Sequence, residues 1–418
     1  VTTPQAAAST SAIPAHVPPE LVVDYDPQNG PEVMAFPPAA LNAFRDKPIF
    51  YTPFGGGFWV LTRFNDIRDA FQNYTAFPQW GTVTPNWTGR QHIPLRLNPP
   101  EHHKYRRMLM PMFSPNRLKS LESIIRRTAH ERLARIAPTG RCEFMSDFAL
   151  LLPAATYCHL LGLPPEHFAH FNQLSYDLVF GAEDVRRTQG AGAGAAFRKN
   201  VVEQIDQIIT EVIQQRREDP GDDIISFLVE AELDGSRLSD EDILNIASLL
   251  FFAGTDSTGS MIGYSMGFLA KNPEYRQELL DDPAIIPDAV EELIRFHGFH
   301  HNVRDVAEDI EIAGVQLKAG DRILVHTGGA NHDPEAFENP DKVDFSRFET
   351  SHLTFGTGIH RCLGAPLAKL QLRIALEEFN SAIPDYRLPE GQAIKYVGGQ
   401  SKVQPSLIPL EFTPRDIS

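Results

Sequence analysis

The chain holds only three cysteines in 418 residues, Cys142, Cys158 and Cys362, an odd number at wide and irregular spacing. That pattern excludes a disulfide framework and paired zinc knuckles, and it suits a reducing compartment, the cytoplasm. Basic residues are also scarce. Lys plus Arg count 38 against 54 Asp plus Glu, a formal net charge of −16 that disfavours nucleic acid as a partner. No apolar run approaches the roughly 20 residues that span a bilayer, so no membrane helix is expected. The N-terminus lacks a charged start followed by a hydrophobic block, so no signal peptide is expected either. No linker and no internal repeat divides the chain. Residues 1–17, VTTPQAAASTSAIPAHV, are small, polar and proline-containing and read as a mobile tail, with residues 18–418 as a single domain.

What is present reads mostly as helix. In VVEQIDQIITEVIQQRRE, Ile205, Ile208, Ile209, Val212 and Ile213 recur at the spacing of one buried helix face, which Pro220 stops. The glycine-rich TQGAGAGAAF before it follows no strand, so it reads as a flexible entry into that helix rather than a nucleotide-binding turn. A longer helix starts at Ser239, where Ser239 and Asp242 have capping-box spacing, and runs to Asn272 before Pro273. Strand signals are short: GGFWVLTRF, then IEIAGVQLKAGDRILVHT with Gly314 and Gly320 as turn markers.

The segment FGTGIHRCLG, residues 355–364, sets one cysteine among glycines. A lone cysteine is ordinarily a small buried hydrophobe. Here Gly356, Gly358 and Gly364 open backbone conformations closed to other residues. A helix reads on after Pro366, so Cys362 stands just before a helix N-terminus, whose partial positive charge favours a thiolate. A thiolate on an open loop suits an axial ligand to haem iron.

The pattern Phe355-Gly356-x-Gly358-x-His360-x-Cys362-x-Gly364 resembles the haem-ligand signature of the cytochrome P450 superfamily. The resemblance implies a mainly α fold with small β-sheets, in which haem b (iron protoporphyrin IX) lies between a long central helix and the cysteine loop. It also implies Phe355, Gly356, His360, Cys362 and Gly364 as cofactor-binding residues, with Cys362 on the metal. Three further segments resemble family signatures in the expected order. Glu292-Leu-Ile-Arg295, with Arg347 downstream, implies a buried structural charge network. AGTDST in the long helix implies that Ala253 and Gly254 leave room for dioxygen, while Asp256, Ser257 and Thr258 relay protons. Ser257 stands where the family usually has threonine, keeping the hydroxyl and losing the methyl that restricts its rotamer. NPPEHHKYRRM implies that His102 and Arg106, on one helix face, bind a haem propionate; Arg304 and His360 match two further propionate contacts. Asn98 replaces an aspartate common at the start of that segment, a change of cap.

Similarity to the bacterial camphor monooxygenase group extends over HVPPELVVDYD, FLAKNPEYRQELLDDP, GVQLKAGDRIL and VDFSRFETSHLTFG. It implies hydroxylation of a small apolar terpenoid, a monoterpenoid or ionone-like ketone, with O2. By position the substrate pocket draws on Val83, Leu95, Leu249, Phe252, Phe299 and His300, and Arg90 falls near the place of the tyrosine that anchors camphor. The chain has no flavin or nicotinamide segment, so electrons come from a 2Fe–2S ferredoxin with an NAD(P)H-dependent reductase upstream. The ferredoxin docks near Lys104, Arg106, Arg107 and Arg361. Peroxide-driven or isomerising haem chemistry, and a haem sensor without turnover, are the competing readings; Asp256 argues against the first and the relay helix with its cation patch against the second. His297, His300 and His301 lack a neighbouring thiolate or carboxylate pair and do not make a metal set.

Overall fold

The computed structural model describes residues 12–79, 90–164, 167–348, 351–398 and 401–417. They form two compact units. The first comprises residues up to Pro85, Glu291–Cys362 and Tyr396–Gln404; the second comprises Asn86–Val290, Leu363–Lys395 and the stretch from Pro405 onward.

The first unit is built on a four-stranded sheet. Strands β1 (Ile49–Thr52) and β2 (Phe58–Leu61) are runs of aromatic and β-branched residues that pair antiparallel, Ile49 opposite Leu61. Strand β3 (His301–Asp305) starts beyond the helix Ile286–Phe296. Strands β4 (Ile310–Ile312) and β5 (Val315–Leu317) form a separate hairpin, and β6 (Arg322–His326) returns to the main sheet. The sheet order is β1-β2-β6-β3, with β2 parallel to β6 and β3 antiparallel to it. Gly314 and Gly320 turn the chain at φ +79° and +91°, as the sequence predicts. Both sheet faces are covered. Trp59, Leu61, Ile323 and Val325 pack with Phe71 from helix α1 (Phe64–Gln72) on one face, and Phe58, Val60 and Leu324 pack with Phe50 and Leu41 on the other.

The expected tail of residues 1–17 meets the structure only over its last residues, and there it needs correction. Val17 is buried in the sheet core and His16 hydrogen-bonds Asp321 at 2.9 Å.

The second unit is helical, with α2 (Glu101–Leu109), α3 (Pro115–Ile136), α4 (Leu151–Leu160), α5 (Ala191–Glu218), α6 (Asp240–Lys271) and α7 (Ala365–Ala382) as its main elements. All five predicted apolar residues of α5 are buried. Helix α6 begins at Ser239, whose hydroxyl accepts from the Asp242 amide, and ends at Asn272. Its 32 residues run about 48 Å. Helices α3 and α7 are clamped by Arg126, which donates to Glu122, Glu377 and Glu378 at 2.6–3.1 Å. Short strand pairs, Arg141–Glu143 with Pro409–Glu411 and Glu232–Leu233 with Ser236–Arg237, complete the unit. No helix among the described residues is long and apolar enough to cross a membrane.

Candidate active site

In the first unit the cysteine loop closes on itself: the Cys362 amide donates to the Phe355 carbonyl at 2.8 Å, and the Gly356 amide to Leu353. Gly356 and Gly358 take φ +64° and +71°. Gly358 lies so close to α1 that a Cβ there would stand 3.0 Å from the Phe71 carbonyl oxygen. Cys362 is exposed, in no disulfide, and stands three residues before α7 begins.

Phe71 also meets Arg304 of β3, whose guanidinium carbon lies 5.7 Å from the ring centroid. Arg304 is 3% exposed, and its Nε and Nη1 have no hydrogen-bond partner among the described residues. Burial lowers its pKa to about 10. A buried cation with donors to spare is a seat for a carboxylate, so this residue fits the propionate-bearing group that the cysteine loop implies. Sequence reasoning missed Phe71, which ties the loop to that arginine.

Behind the loop, Glu292 and Arg295 of the expected group are buried, and Arg347, partly exposed, joins them. Arg295 donates to both oxygens of Glu292 at 2.7 and 2.8 Å, and Arg347 Nε to the same pair at 3.1 Å. Arg295 continues to the carbonyl of Asn331, a fully buried residue. The Asn331 amide nitrogen donates to Arg295 O and Thr354 Oγ1, and its oxygen accepts from the Leu353 amide. The network therefore reaches the residues that open the cysteine loop. Asn331 carries no motif in the sequence, and its role is visible only in these bonds. Phe299 is buried, with the Lys402 ammonium 5.9 Å from its ring, and His300 is held near pKa 3 by burial and then by Lys402. No metal-holding group of His, Cys, Asp or Glu occurs among the described residues.

In the second unit, helix α6 carries the clearest signal. Between Ile243 and Gly267 every residue is buried except Leu249, Phe252, Ala253, Asp256 and Ser257. Their i, i+3, i+4, i+7, i+8 spacing makes one stripe of apolar residues ending in a carboxylate and a hydroxyl. Two expected catalytic residues lie off it. Thr258 is 6% exposed, and Gly254 faces α4, where a Cβ would stand 1.8 Å from Tyr157 Cζ. The expectation that Gly254 leaves room for dioxygen is corrected: the missing side chain admits Tyr157, and the small residue on the stripe is Ala253. Ser260 and Thr255 bond back to carbonyls one turn earlier.

His102 and Arg106 lie on α2. His102 is buried, and its pKa falls to about 4 through burial and then the charge of Arg106. The helix has no side-chain cap, its first residue following Pro100, so Asn98 is not the cap expected of it. Gly364 packs 3.6 Å, measured from an ideal Cβ, from the Tyr157 hydroxyl. Of the expected docking cations, Arg107 and Arg361 are exposed, whereas Lys104 is engaged by Asp234 at 2.5 Å. Leu95 is 39% exposed, and Val83 lies outside the described residues. Arg90 is held by Asp206, at 2.6 Å, instead of facing a pocket as an anchor.

The profile of the family described as Cytochrome P450 matches residues 195–379. Probable cytochrome P450 127A1 of Sinorhizobium fredii is 34% identical, covering 93% of this chain and 94% of that protein. Mycinamicin IV hydroxylase/epoxidase of Micromonospora griseorubida is 34% identical over 81% of this chain and 86% of its own length. Among solved structures, cytochrome P450 CYP101C1 superposes with a TM-score of 0.87 at 28% identity, covering 96% of this chain and all of that one. CYP101J2 gives 0.84 at 29% identity, covering 96% and 99%. A mainly α fold with small sheets, a cysteine loop, and relatives alike across nearly their whole length together identify this chain as a member of the cytochrome P450 family, a monooxygenase with haem b as its cofactor.

Proposed function

We propose that this protein hydroxylates a small apolar terpenoid, a monoterpenoid or ionone-like ketone, with O2 and with electrons from a 2Fe–2S ferredoxin. When bound, the haem supplies dioxygen activation and is held through a cysteine thiolate. Cys362 is the ligand in this reading. Its loop is closed by the Phe355 carbonyl and backed by Asn331 and the Glu292 network, so the thiolate's position is fixed before the cofactor arrives. Arg304, His102, Arg106 and His360 hold the propionates, with the spare donors of Arg304 as the most direct support.

The observation that carries the substrate reading is the α6 stripe. Leu249, Phe252 and Ala253 offer an apolar wall without a formal charge, which suits a hydrocarbon skeleton. One turn further, Asp256 takes a proton from solvent and Ser257 passes it toward the wall, the relay that oxygen cleavage requires. Arg107 and Arg361 present positive charge to an acidic donor, while Lys104 contributes less because Asp234 neutralises it. Three cysteines held outside any disulfide suit the cytoplasm.

The test is turnover. Purified holoprotein, with a ferredoxin, its reductase and NADH, should consume oxygen in the presence of a cyclic terpenoid and yield the hydroxylated product. Haem-loaded protein that neither consumes oxygen nor forms product with any such skeleton contradicts the reading.

A further inference from the structure

Helix α6 is seated on residues 145–157 through its glycines. The Tyr157 phenol fills the place of a side chain at Gly254, and a Cβ at Gly259 would stand 2.8 Å from Leu150 Cδ2 and 3.0 Å from the Ala149 carbonyl oxygen. A Cβ at Gly263 would meet Met145 Sδ. The partners fall in number as the glycines rise, so the two segments pack antiparallel with three interlocks. In an interior packed to crystal density, α6 cannot slide along its axis without a collision.

Tyr157 also reaches a third element. Its hydroxyl oxygen lies 3.6 Å from the place of a Cβ on Gly364, with Phe113 Cε1 at 3.8 Å from the same point. Gly364 is the N-cap of α7, at φ −83° and ψ 6°, and its carbonyl accepts from the Ala368 amide at 2.9 Å. These are not left-handed values, so the backbone itself does not demand glycine here. The helix has no side-chain cap, and glycine cannot offer its first turn the oxygen that serine or aspartate would. Tyr157, 4% exposed, brings an oxygen to this helix end from α4. One phenol thus stands against a glycine of the AGTDST segment and against the glycine two residues after Cys362.

We propose that the Tyr157 hydroxyl is a positioning group for thiolate ligation: it holds the N-cap of α7, and with it the chain that carries Cys362, in fixed register with α6. The inference rests on Cys362 as the haem ligand and on no particular substrate. Ring and oxygen have separate tasks. The ring packs at Gly254 and serves the stability of the fold, whereas the oxygen touches Gly364 and sets the start of α7. Tyr157→Phe removes the second task and keeps the first.

The experiment compares haem-loaded full-length protein with its Tyr157→Phe and Tyr157→Leu variants. The thermal midpoint, amide hydrogen exchange over residues 365–369, and the stability of the carbon monoxide complex are read for each. For the last, reduced protein under carbon monoxide is placed in mild urea, and the rate at which the red-shifted Soret band gives way to a shorter-wavelength band is followed. Tyr157→Phe should keep the midpoint, yet speed exchange at the start of α7 about tenfold and band conversion severalfold. Tyr157→Leu should lower the midpoint as well. Exchange and conversion in Tyr157→Phe that match the unsubstituted protein overturn the inference. So does a Tyr157→Phe midpoint that falls as far as that of Tyr157→Leu, since the hydroxyl then serves the fold as a whole. Loaded unsubstituted protein without a red-shifted band overturns the ligand assignment and this inference with it.

Discussion

The Tyr157 ring fills the space in which a side chain at Gly254 would lie, with an ideal Cβ standing 1.8 Å from Cζ and 2.1 Å from the hydroxyl oxygen. Glycine inside a helix costs about 1 kcal/mol relative to alanine. Gly254→Ala should nevertheless destabilise the protein, by about 1–3 kcal/mol, because overpacking against buried Tyr157 outweighs the gain in helix propensity. Thermal unfolding of Gly254→Ala, Tyr157→Leu and the double variant checks this. The double variant should be more stable than the two separate losses imply, and a stabilised Gly254→Ala would contradict the packing account.

Ser257 and Thr258 are adjacent hydroxyls on different faces of α6. A placed proton donor is worth roughly 10²–10⁴-fold in rate, and water replaces part of it, so Ser257→Ala should lower product formed per NADH severalfold or more. Thr258→Ala, at a buried position off the stripe, should leave that ratio close to the unsubstituted value. Measuring product against NADH consumed distinguishes the two, and equal losses would remove Ser257 from the relay.

Glu292 is the shared partner of two guanidinium groups and accepts from the Asp344 amide as well. Glu292→Gln leaves Arg295, which is fully buried, short of a counter-charge, a loss of about 3–5 kcal/mol. Asn331→Ala removes two donated bonds and one accepted bond, with an expected cost of about 1–3 kcal/mol. Haem retention should fall in the same order, and urea unfolding with Soret absorbance reads both quantities.

Acid should unfold this protein partly through buried histidines. His326 accepts from the Gly329 amide; burial first, then the neighbouring His301 and Arg45, holds its pKa well below 6.5. His300 is lowered to about 3. Each folded value lies below the unfolded one, so the unfolded chain binds more protons. The neutral rings' contribution is therefore complete above pH 6.5 and declines as pH falls toward the folded values, by up to about 1.4 kcal/mol per pH unit for each group. Stability measured from pH 7.5 to 4.5 should show that decline, and His326→Leu should flatten it; an unchanged slope would exclude this source.

The long helix, the α5 face and the turn glycines were legible because each follows local rules: a cap, a period, a glycine at a positive φ; the charge network was legible only through its resemblance to a family signature. Phe71, Tyr157 and Asn331 were not. Each acts across long sequence separations, through a ring edge or an amide that meets its partners only after folding, and a phenylalanine inside FNDIRDAFQ looks like any other core residue. Arg90 and Lys104 show the same gap. Composition marks them as cations, but only the fold reveals that Asp206 and Asp234 already hold them.

The central claim, that Cys362 binds the haem iron as a thiolate, is tested most directly by reducing the loaded protein under carbon monoxide. A thiolate ligand predicts the strongly red-shifted Soret band, absent in Cys362→Ser. A shorter-wavelength band in properly loaded unsubstituted protein, or a red-shifted band that persists in Cys362→Ser, would contradict it.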